Sequence, residues 1–119
     1  MLQGKRILLV EDEAFIAMML EDMVMKIGGI AVGPATNLQA GIEMARAEKF
    51  DAAVLDVNLG DGNSTDIADV LAERRIPFIL ATGYGATTAN THKAPILQKP
   101  YMLRDLEHAF AQILCVAKP

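Results

Sequence analysis

The stretch LLVEDEAF, from Leu8 to Phe15, places three consecutive acidic residues directly after an apolar run. The run is short and rich in branched residues, which is typical of a buried β-strand. The acids Glu11, Asp12 and Glu13 would then lie where this strand ends. Charged side chains at such a place are costly unless another group pairs with them. The stretch therefore predicts a strand that leads into a charged site.

Outward from this stretch, short apolar runs alternate with segments of helical periodicity. Pro34 is expected to end the second strand, and Asn37 and Ser64 are expected to cap the second and third helices. The alternation predicts an α/β fold, a doubly wound five-stranded parallel sheet covered on both faces, with the flavodoxin-like order 2-1-3-4-5. Strands are predicted at 7–10, 30–33, 52–55, 78–81 and 96–98, and helices at 14–27, 38–49, 64–74 and 103–113.

Two segments have unusual composition. The segment 82–94 is rich in Gly, Ala, Thr and Asn, so it is predicted to be a loop with at most a shortened or irregular fourth helix. The first helix contains Met18, Met19, Met23 and Met25. Methionine fills irregular gaps well, so these side chains are predicted to lie in the core and in grooves.

Length and composition limit the class of protein. The 119 residues suit one domain covering 1–119, and the net charge of −4 argues against nucleic-acid binding. A single cysteine, Cys115, excludes an internal disulfide and fits a cytoplasmic protein. No apolar run is long enough to span a membrane, and the N-terminus lacks a signal segment. Because the chain ends soon after the last predicted helix, no output domain is expected.

Polar groups follow four of the five predicted strands. Parallel sheets bind ligands at the carboxyl ends of their strands, so these groups are expected to meet there. Glu11, Asp12 and Asp56 would form an acidic pocket, and two carboxylates about 4 Å apart repel by roughly 4 kcal/mol at an effective dielectric of 20. Mg²⁺ would relieve this repulsion, since it prefers carboxylate and carbonyl oxygens. With Thr82 and Lys99 nearby, the pattern indicates phosphoryl transfer, with Asp56 as the nucleophile.

The chain resembles a response-regulator receiver domain of two-component signalling from about residue 5 to 116. The segments VEDE, LDVN, ATG and QKPY resemble the motifs of that family in order and spacing. The resemblance implies that Asp56 accepts a phosphoryl group from a histidine kinase or a phosphotransfer protein. The protein would be a signal relay rather than an enzyme acting on other substrates. It would be a monomer or weak dimer that signals by partner binding, onward transfer or draining of a kinase.

The resemblance also implies the roles of single residues. Glu11 and Asp12 would hold Mg²⁺ with Asp56, and the backbone carbonyl of Asn58 would complete the protein ligands. Thr82 would hydrogen-bond the phosphoryl group and Lys99 would pair with it. The peptide bond between Lys99 and Pro100 is expected to be cis, as in the family.

A narrower resemblance is to the FAT GUY subgroup of single-domain receivers. The segment PFILATGYG, at 77–85, resembles the motif of that subgroup. The usual switch aromatic of receivers is replaced by Ile96, and Gly60 stands where many receivers have proline. We therefore hypothesise that Thr82 and Tyr84 form the switch, with Tyr84 reorienting when Asp56 is phosphorylated.

Three alternative interpretations remain open. The acidic run could merely favour a helix N-terminus, the role assigned to Glu13. The protein could be a Mg²⁺-dependent phosphohydrolase of the haloacid-dehalogenase type, although that class has its nucleophile in an Asp-x-Asp motif on the first strand. It could also be a pseudo-receiver that only binds partners, although such proteins usually lack the Asp or the Lys that are present here.

Overall fold

The computed structural model describes residues 1–60, 62–83 and 92–114. Helices and strands alternate along this part of the chain, as the apolar periodicity predicts. The strands are β1 (Arg6–Val10), β2 (Ile30–Ala35), β3 (Ala52–Asp56), β4 (Asn58–Leu59), β5 (Gly62–Asn63), β6 (Phe78–Thr82) and β7 (Ile96–Gln98). The helices are α1 (Ala14–Lys26), α2 (Leu38–Ala47), α3 (Thr65–Glu73) and α4 (Leu103–Ile113).

Five strands form one parallel sheet in the order β2-β1-β3-β6-β7. This is the predicted order 2-1-3-4-5, since β6 and β7 are the fourth and fifth strands of the main sheet. The two-residue strands β4 and β5 pair antiparallel in a separate hairpin between β3 and α3. The sheet order confirms the flavodoxin-like fold class.

Helices cover the sheet on both faces. Successive residues of a strand point to opposite faces, so β1 contributes Ile7 and Leu9 to one core cluster and Leu8 and Val10 to the other. The first cluster contains buried residues of α1 and α4, and the second contains buried residues of α2 and α3. The central strand β3 is buried along its whole length, including Asp56. This burial on both sides explains why β1, β3 and β6 read as continuous apolar runs.

Strand β2 and helix α2 each end two residues away from the prediction and one predicted cap is wrong, while several other predicted ends differ by a single residue. Strand β2 does not end at Pro34 but continues to Ala35, because an irregularity in its pairing with β1 accommodates the proline, which has no N–H. Helix α2 ends at Ala47 rather than at 49. Asn37 caps α2 as predicted, accepting the N–H of Ala40 at 2.8 Å. Ser64 precedes α3 but makes no side-chain cap.

The α1 methionines agree with the prediction in part, since Met19 and Met23 line a groove beside Pro100 and Tyr101, whereas Met18 and Met25 do not. Met23 is partly buried against the core, but Met18 and Met25 are each 65% exposed and Met19 is 45% exposed. Phe15, in the first turn of the same helix, is 73% exposed. The side of α1 that faces the sheet buries Ala17, Leu20 and Val24. Because Phe15 and three methionines are exposed, the outer side of the helix is apolar as well.

Part of the segment predicted to be a loop lies outside the described residues. Residues 84–91, which include Tyr84 and most of any shortened fourth helix, are not described. The hypothesis that Tyr84 reorients therefore stays a prediction. Among the residues that are described, no helix has the length and hydropathy needed to cross a membrane.

Candidate functional site

The predicted polar residues meet at the carboxyl edge of the main sheet. Glu11 and Asp12 follow β1, and Asp56 is the last residue of β3. Thr82 ends β6, one residue beyond Ala81, which is the register partner of Asp56. The Lys99 backbone N–H donates to the Thr82 carbonyl at 2.8 Å, which holds the residue after β7 beside β6. The strand order thus brings together groups that are far apart in sequence.

The carboxylates of Glu11, Asp12 and Asp56 form one compact cluster. Their nearest oxygens all lie within 4.8 Å of one another, a spacing that could hold a metal ion. Glu11 and Asp56 are buried, whereas Asp12 is exposed at the mouth of the cluster. Three hard oxygen donors with one side open to water suit Mg²⁺, which keeps several waters when it binds to proteins. The residues present therefore fit a magnesium site.

Lys99 is the cation inside this cluster. Its Nζ atom lies 2.8 Å from Glu11 Oε1 and 3.3 Å from Asp56 Oδ1. The Lys99 side chain is only 18% exposed, so water screens both ion pairs weakly. The peptide bond between Lys99 and Pro100 is cis.

Backbone N–H groups orient each of the three carboxylates. Glu13 N–H donates to Glu11 Oε2 at 3.1 Å, and Asn58 N–H donates to Asp56 Oδ1 at 3.3 Å. The third bond comes from the hairpin, where Gly60 N–H donates to Asp12 Oδ2 at 3.1 Å. From the sequence, Gly60 stands out only because many receivers have proline at this position. Its position could have indicated this role, since proline has no N–H to donate.

Burial and the neighbouring acids change the proton affinity of Asp56. Burial first, and then the negative charge of Glu11, raise the pKa of Asp56 from its ordinary 3.8 to about 7, although the Lys99 ammonium opposes this increase. Burial alone would lower the pKa of Lys99, but its hydrogen bond to Glu11 and the charge of Asp56 raise that pKa above 10.5. The ammonium therefore stays charged at neutral pH, while the metal-free cluster holds more negative charge than Lys99 offsets.

Of the remaining predicted residues, Thr82 and Asn58 lie at the edge of this cluster. The Thr82 side chain is buried at the end of the strand beside Asp56. Asn58 follows Asp56 by two residues and lies on β4, while Tyr84 is outside the described residues. The structure also shows a residue that the sequence analysis did not select. Burial, and then the charges of Glu11 and Asp56, raise the pKa of Tyr101 to about 12, so its phenol lies within electrostatic reach of the cluster.

Comparison with known proteins agrees with this geometry. The family described as the response regulator receiver domain matches residues 7–111. The transcriptional regulatory protein PdtaR of Mycobacterium tuberculosis is 31% identical over 108 residues, which are 86% of this chain and 53% of PdtaR. The chain spans about half the length of the curated relatives it matches.

Solved structures show the same likeness over nearly the whole chain. The solution structure of SdrG from Sphingomonas melonis Fr1 is 38% identical, with a TM-score of 0.82 over 93% of this chain and 97% of SdrG. The BeF3-activated conformation of SdrG from Pseudomonas melonis Fr1 is also 38% identical, with a TM-score of 0.75 over 89% of this chain and 92% of that one.

Proposed function

This chain belongs to the response regulator receiver domain family, and from that premise we propose that it is a phosphoacceptor signal relay. Asp56 takes a phosphoryl group from a histidine kinase or from a phosphotransfer protein. The observation that supports this most directly is the placement of Asp56 at the end of the central strand, with Lys99 Nζ at 3.3 Å and two further acids beside it.

The transfer is an in-line displacement at phosphorus. One Asp56 oxygen attacks the phosphorus atom of a phosphohistidine while the phosphorus–nitrogen bond breaks, and the leaving imidazole nitrogen takes up a proton. Asp56 must be ionised to attack. Since its pKa is raised to about 7 in the metal-free protein, positive charge brought close to it favours the reactive form. Lys99 supplies one such charge permanently.

Six groups of the chain surround the reacting atoms in this proposal. Glu11, Asp12, Asp56 and the backbone carbonyl of Asn58 would hold Mg²⁺, which when bound neutralises the charge that develops on the phosphoryl oxygens. The Thr82 hydroxyl donates to a phosphoryl oxygen. Lys99, already beside Asp56, turns its ammonium toward the new negative charge.

The geometry supports this function over the two alternatives. A haloacid-dehalogenase-type nucleophile would lie on β1, but the most buried Asp of the cluster ends β3. A pseudo-receiver has lost part of the reactive set, whereas Asp56, Thr82 and Lys99 lie together here. We also assign the chain to the FAT GUY subgroup, since its segment at 77–85 and its likeness to SdrG support that assignment.

The output of the relay is part of the same proposal. We propose that the described domain signals in the cytoplasm through a protein partner, by onward phosphotransfer or by draining a kinase. PdtaR is a transcriptional regulatory protein, and the match covers 53% of its length. The proposal for this chain therefore does not include transcriptional regulation. The net charge of −4 supports a protein partner rather than nucleic acid.

The first prediction tests the phosphoacceptor. With Mg²⁺ and acetyl phosphate, intact-mass spectrometry should detect one added phosphoryl group on the wild-type protein and none on Asp56→Asn. Asp22→Asn is the matched control, because Asp22 lies on the exposed side of α1 and pairs with Lys26 at 3.1 Å. An adduct of equal abundance on Asp56→Asn would refute the assignment. Turnover of a generic phosphatase substrate by the wild type would favour the phosphohydrolase instead.

A further inference from the structure

The Tyr101 hydroxyl is a buried polar group that has no hydrogen-bond partner among the described residues. A buried hydroxyl without a partner is unfavourable, because it has lost its hydrogen bonds to water and gained none in exchange. Phenylalanine at this position would avoid that cost while packing against the same first core cluster. The hydroxyl therefore destabilises the resting conformation and favours any conformation in which it finds an acceptor.

Tyr101 lines the same cavity as Lys99, and the Nζ atom of Lys99 lies 2.8 Å from Glu11 Oε1, so the phosphoacceptor site is next to the Tyr101 ring. Of the two carboxylates whose charges raise the pKa of Tyr101, Glu11 acts more strongly than Asp56. An ionised carboxylate only accepts hydrogen bonds and a phenol readily donates one. In the resting protein, however, each Glu11 oxygen already has a partner, since Oε1 lies 2.8 Å from Lys99 Nζ and Oε2 accepts the N–H of Glu13.

The surroundings of the Tyr101 ring give it room to move. Tyr101 lines a cavity of about 350 Å³, which we call the α1 groove, together with Phe15, Met19, Met23 and Pro100. Tyr101 also lines a second cavity of about 490 Å³, together with residues of β7 and α4. A close-packed core side chain has no such space.

We propose that Tyr101 transmits phosphorylation of Asp56 to the α1 groove. When Lys99 turns from Glu11 toward the phosphoryl oxygens, Glu11 Oε1 loses its ammonium partner, and the Tyr101 hydroxyl donates a hydrogen bond to it, while Oε2 stays available to the metal. The ring follows its hydroxyl and changes the wall of the α1 groove. Tyr101 is thus a positioning residue for the phosphorylated state, and the inference rests on the proposed function.

Thermal melts of wild type and Tyr101→Phe test the energetic part of this proposal. In the metal-free protein, Tyr101→Phe should melt a few degrees higher than wild type, because it removes an unpaired buried hydroxyl. Mg²⁺ and beryllofluoride, which mimics the phosphoryl group, should raise the melting temperature of wild type by more than that of Tyr101→Phe. The apparent affinity for beryllofluoride should be about tenfold weaker in Tyr101→Phe, the value expected for losing one hydrogen bond to a charged group.

Methyl NMR of the methionines tests the structural part. Beryllofluoride should shift the Met19 and Met23 methyl signals in wild type, and these shifts should fall by more than half in Tyr101→Phe. Met18 and Met25, each 65% exposed and on the same helix, do not line the α1 groove and should stay unchanged in both proteins. They serve as internal controls for a general movement of α1.

The outcomes separate this inference from the proposed function. If beryllofluoride changes neither melting nor spectra of wild type, the phosphoacceptor proposal fails and this inference fails with it. If wild type responds and Tyr101→Phe responds equally, only the role of Tyr101 is overturned. A lower melting temperature of metal-free Tyr101→Phe would show that the hydroxyl already has a partner at rest, which also overturns it.

Discussion

At the scale of single residues, burial and neighbouring carboxylates make the ionised form of Asp56 unfavourable. Glu11 and Asp56 share the Lys99 ammonium beside a third carboxylate, Asp12, and Asp56 responds by holding its proton more tightly. The sequence could predict which residues meet, because each ends or follows a strand of a parallel sheet. It could not predict the raised pKa, because that depends on burial and on the distance to Glu11. It also gave no signal for the Tyr101 hydroxyl, whose lack of a partner is a property of the packed structure.

The pH dependence of stability follows from Asp56. Its pKa is about 7 in the folded protein and near its ordinary 3.8 in the unfolded chain. Between these values the folded state binds more protons, so the free energy of unfolding falls as pH rises from about 4 to about 7 and then levels. In EDTA, Asp56→Asn should therefore exceed wild type in stability at about pH 8, by on the order of 2–4 kcal/mol, and exceed it much less at about pH 4.5.

Melting curves across this pH range measure the effect. Asp22→Asn, which removes an exposed carboxylate from α1, should follow wild type. A constant difference between Asp56→Asn and wild type from acid to alkaline pH would contradict the raised pKa.

At the scale of elements, long periodic segments were predictable and short ones were not. The five sheet strands and the Asn37 cap follow from apolar runs and capping chemistry. The hairpin of β4 and β5 was missed because two-residue strands have no periodicity to detect. The cap of Ser64 was wrong because Ser64 has φ −87° and ψ 14°, not the extended backbone of a capping residue, and the nearby side-chain acceptor is Asn63 Oδ1, which takes the N–H of Thr65.

The hairpin gives the next prediction, which concerns Gly60. Its N–H fixes Asp12 Oδ2, so Gly60→Pro should weaken Mg²⁺ binding about threefold to tenfold by leaving that carboxylate unoriented. Gly60→Ala is the matched control. It keeps the N–H, its Cβ would lie 3.5 Å from Asp12 Oδ2, an ordinary contact, and Gly60 does not have the positive φ that would strain alanine.

Titration calorimetry with Mg²⁺ compares the three proteins. Equal affinities of Gly60→Pro and Gly60→Ala would mean that the hydrogen bond does not orient Asp12 for the metal.

At the scale of the whole molecule, the fold has one charged edge and one uncovered apolar helix surface. The charged edge was predicted because topology fixes where strand ends meet. The apolar surface was not, because Met18, Met19 and Met25 read as core residues when helical periodicity alone is considered. A helix with apolar residues around most of its circumference does not reveal from sequence which side faces the sheet.

Metal binding at the charged edge should stabilise the entire domain. A ligand that binds only the folded state adds about 2.7 kcal/mol at a hundred times its dissociation constant. Millimolar Mg²⁺ should therefore raise the melting temperature of wild type by several degrees, and Asp12→Ala should lose most of this increase. The same variant should be no less stable than wild type in EDTA, because it relieves repulsion within the cluster. Asp22→Ala removes an equal charge elsewhere and should keep the full response to Mg²⁺; a full response in Asp12→Ala would place the metal elsewhere.

The ion pairs of Lys99 have a consequence for how the site behaves in different media. The Lys99 ammonium is a counter-ion that is attached to the chain. Unlike a free cation, it cannot be diluted, and other cations cannot readily replace it. Because Lys99 is largely shielded from water, dissolved salt reaches its pairs with Glu11 and Asp56 poorly. The resting geometry of Asp56 is thus insulated from the ionic strength of the medium. Salt should still weaken electrostatic attraction between the exposed surface and a partner. Partner binding is therefore expected to depend on salt more strongly than the ion pairs of Lys99 do.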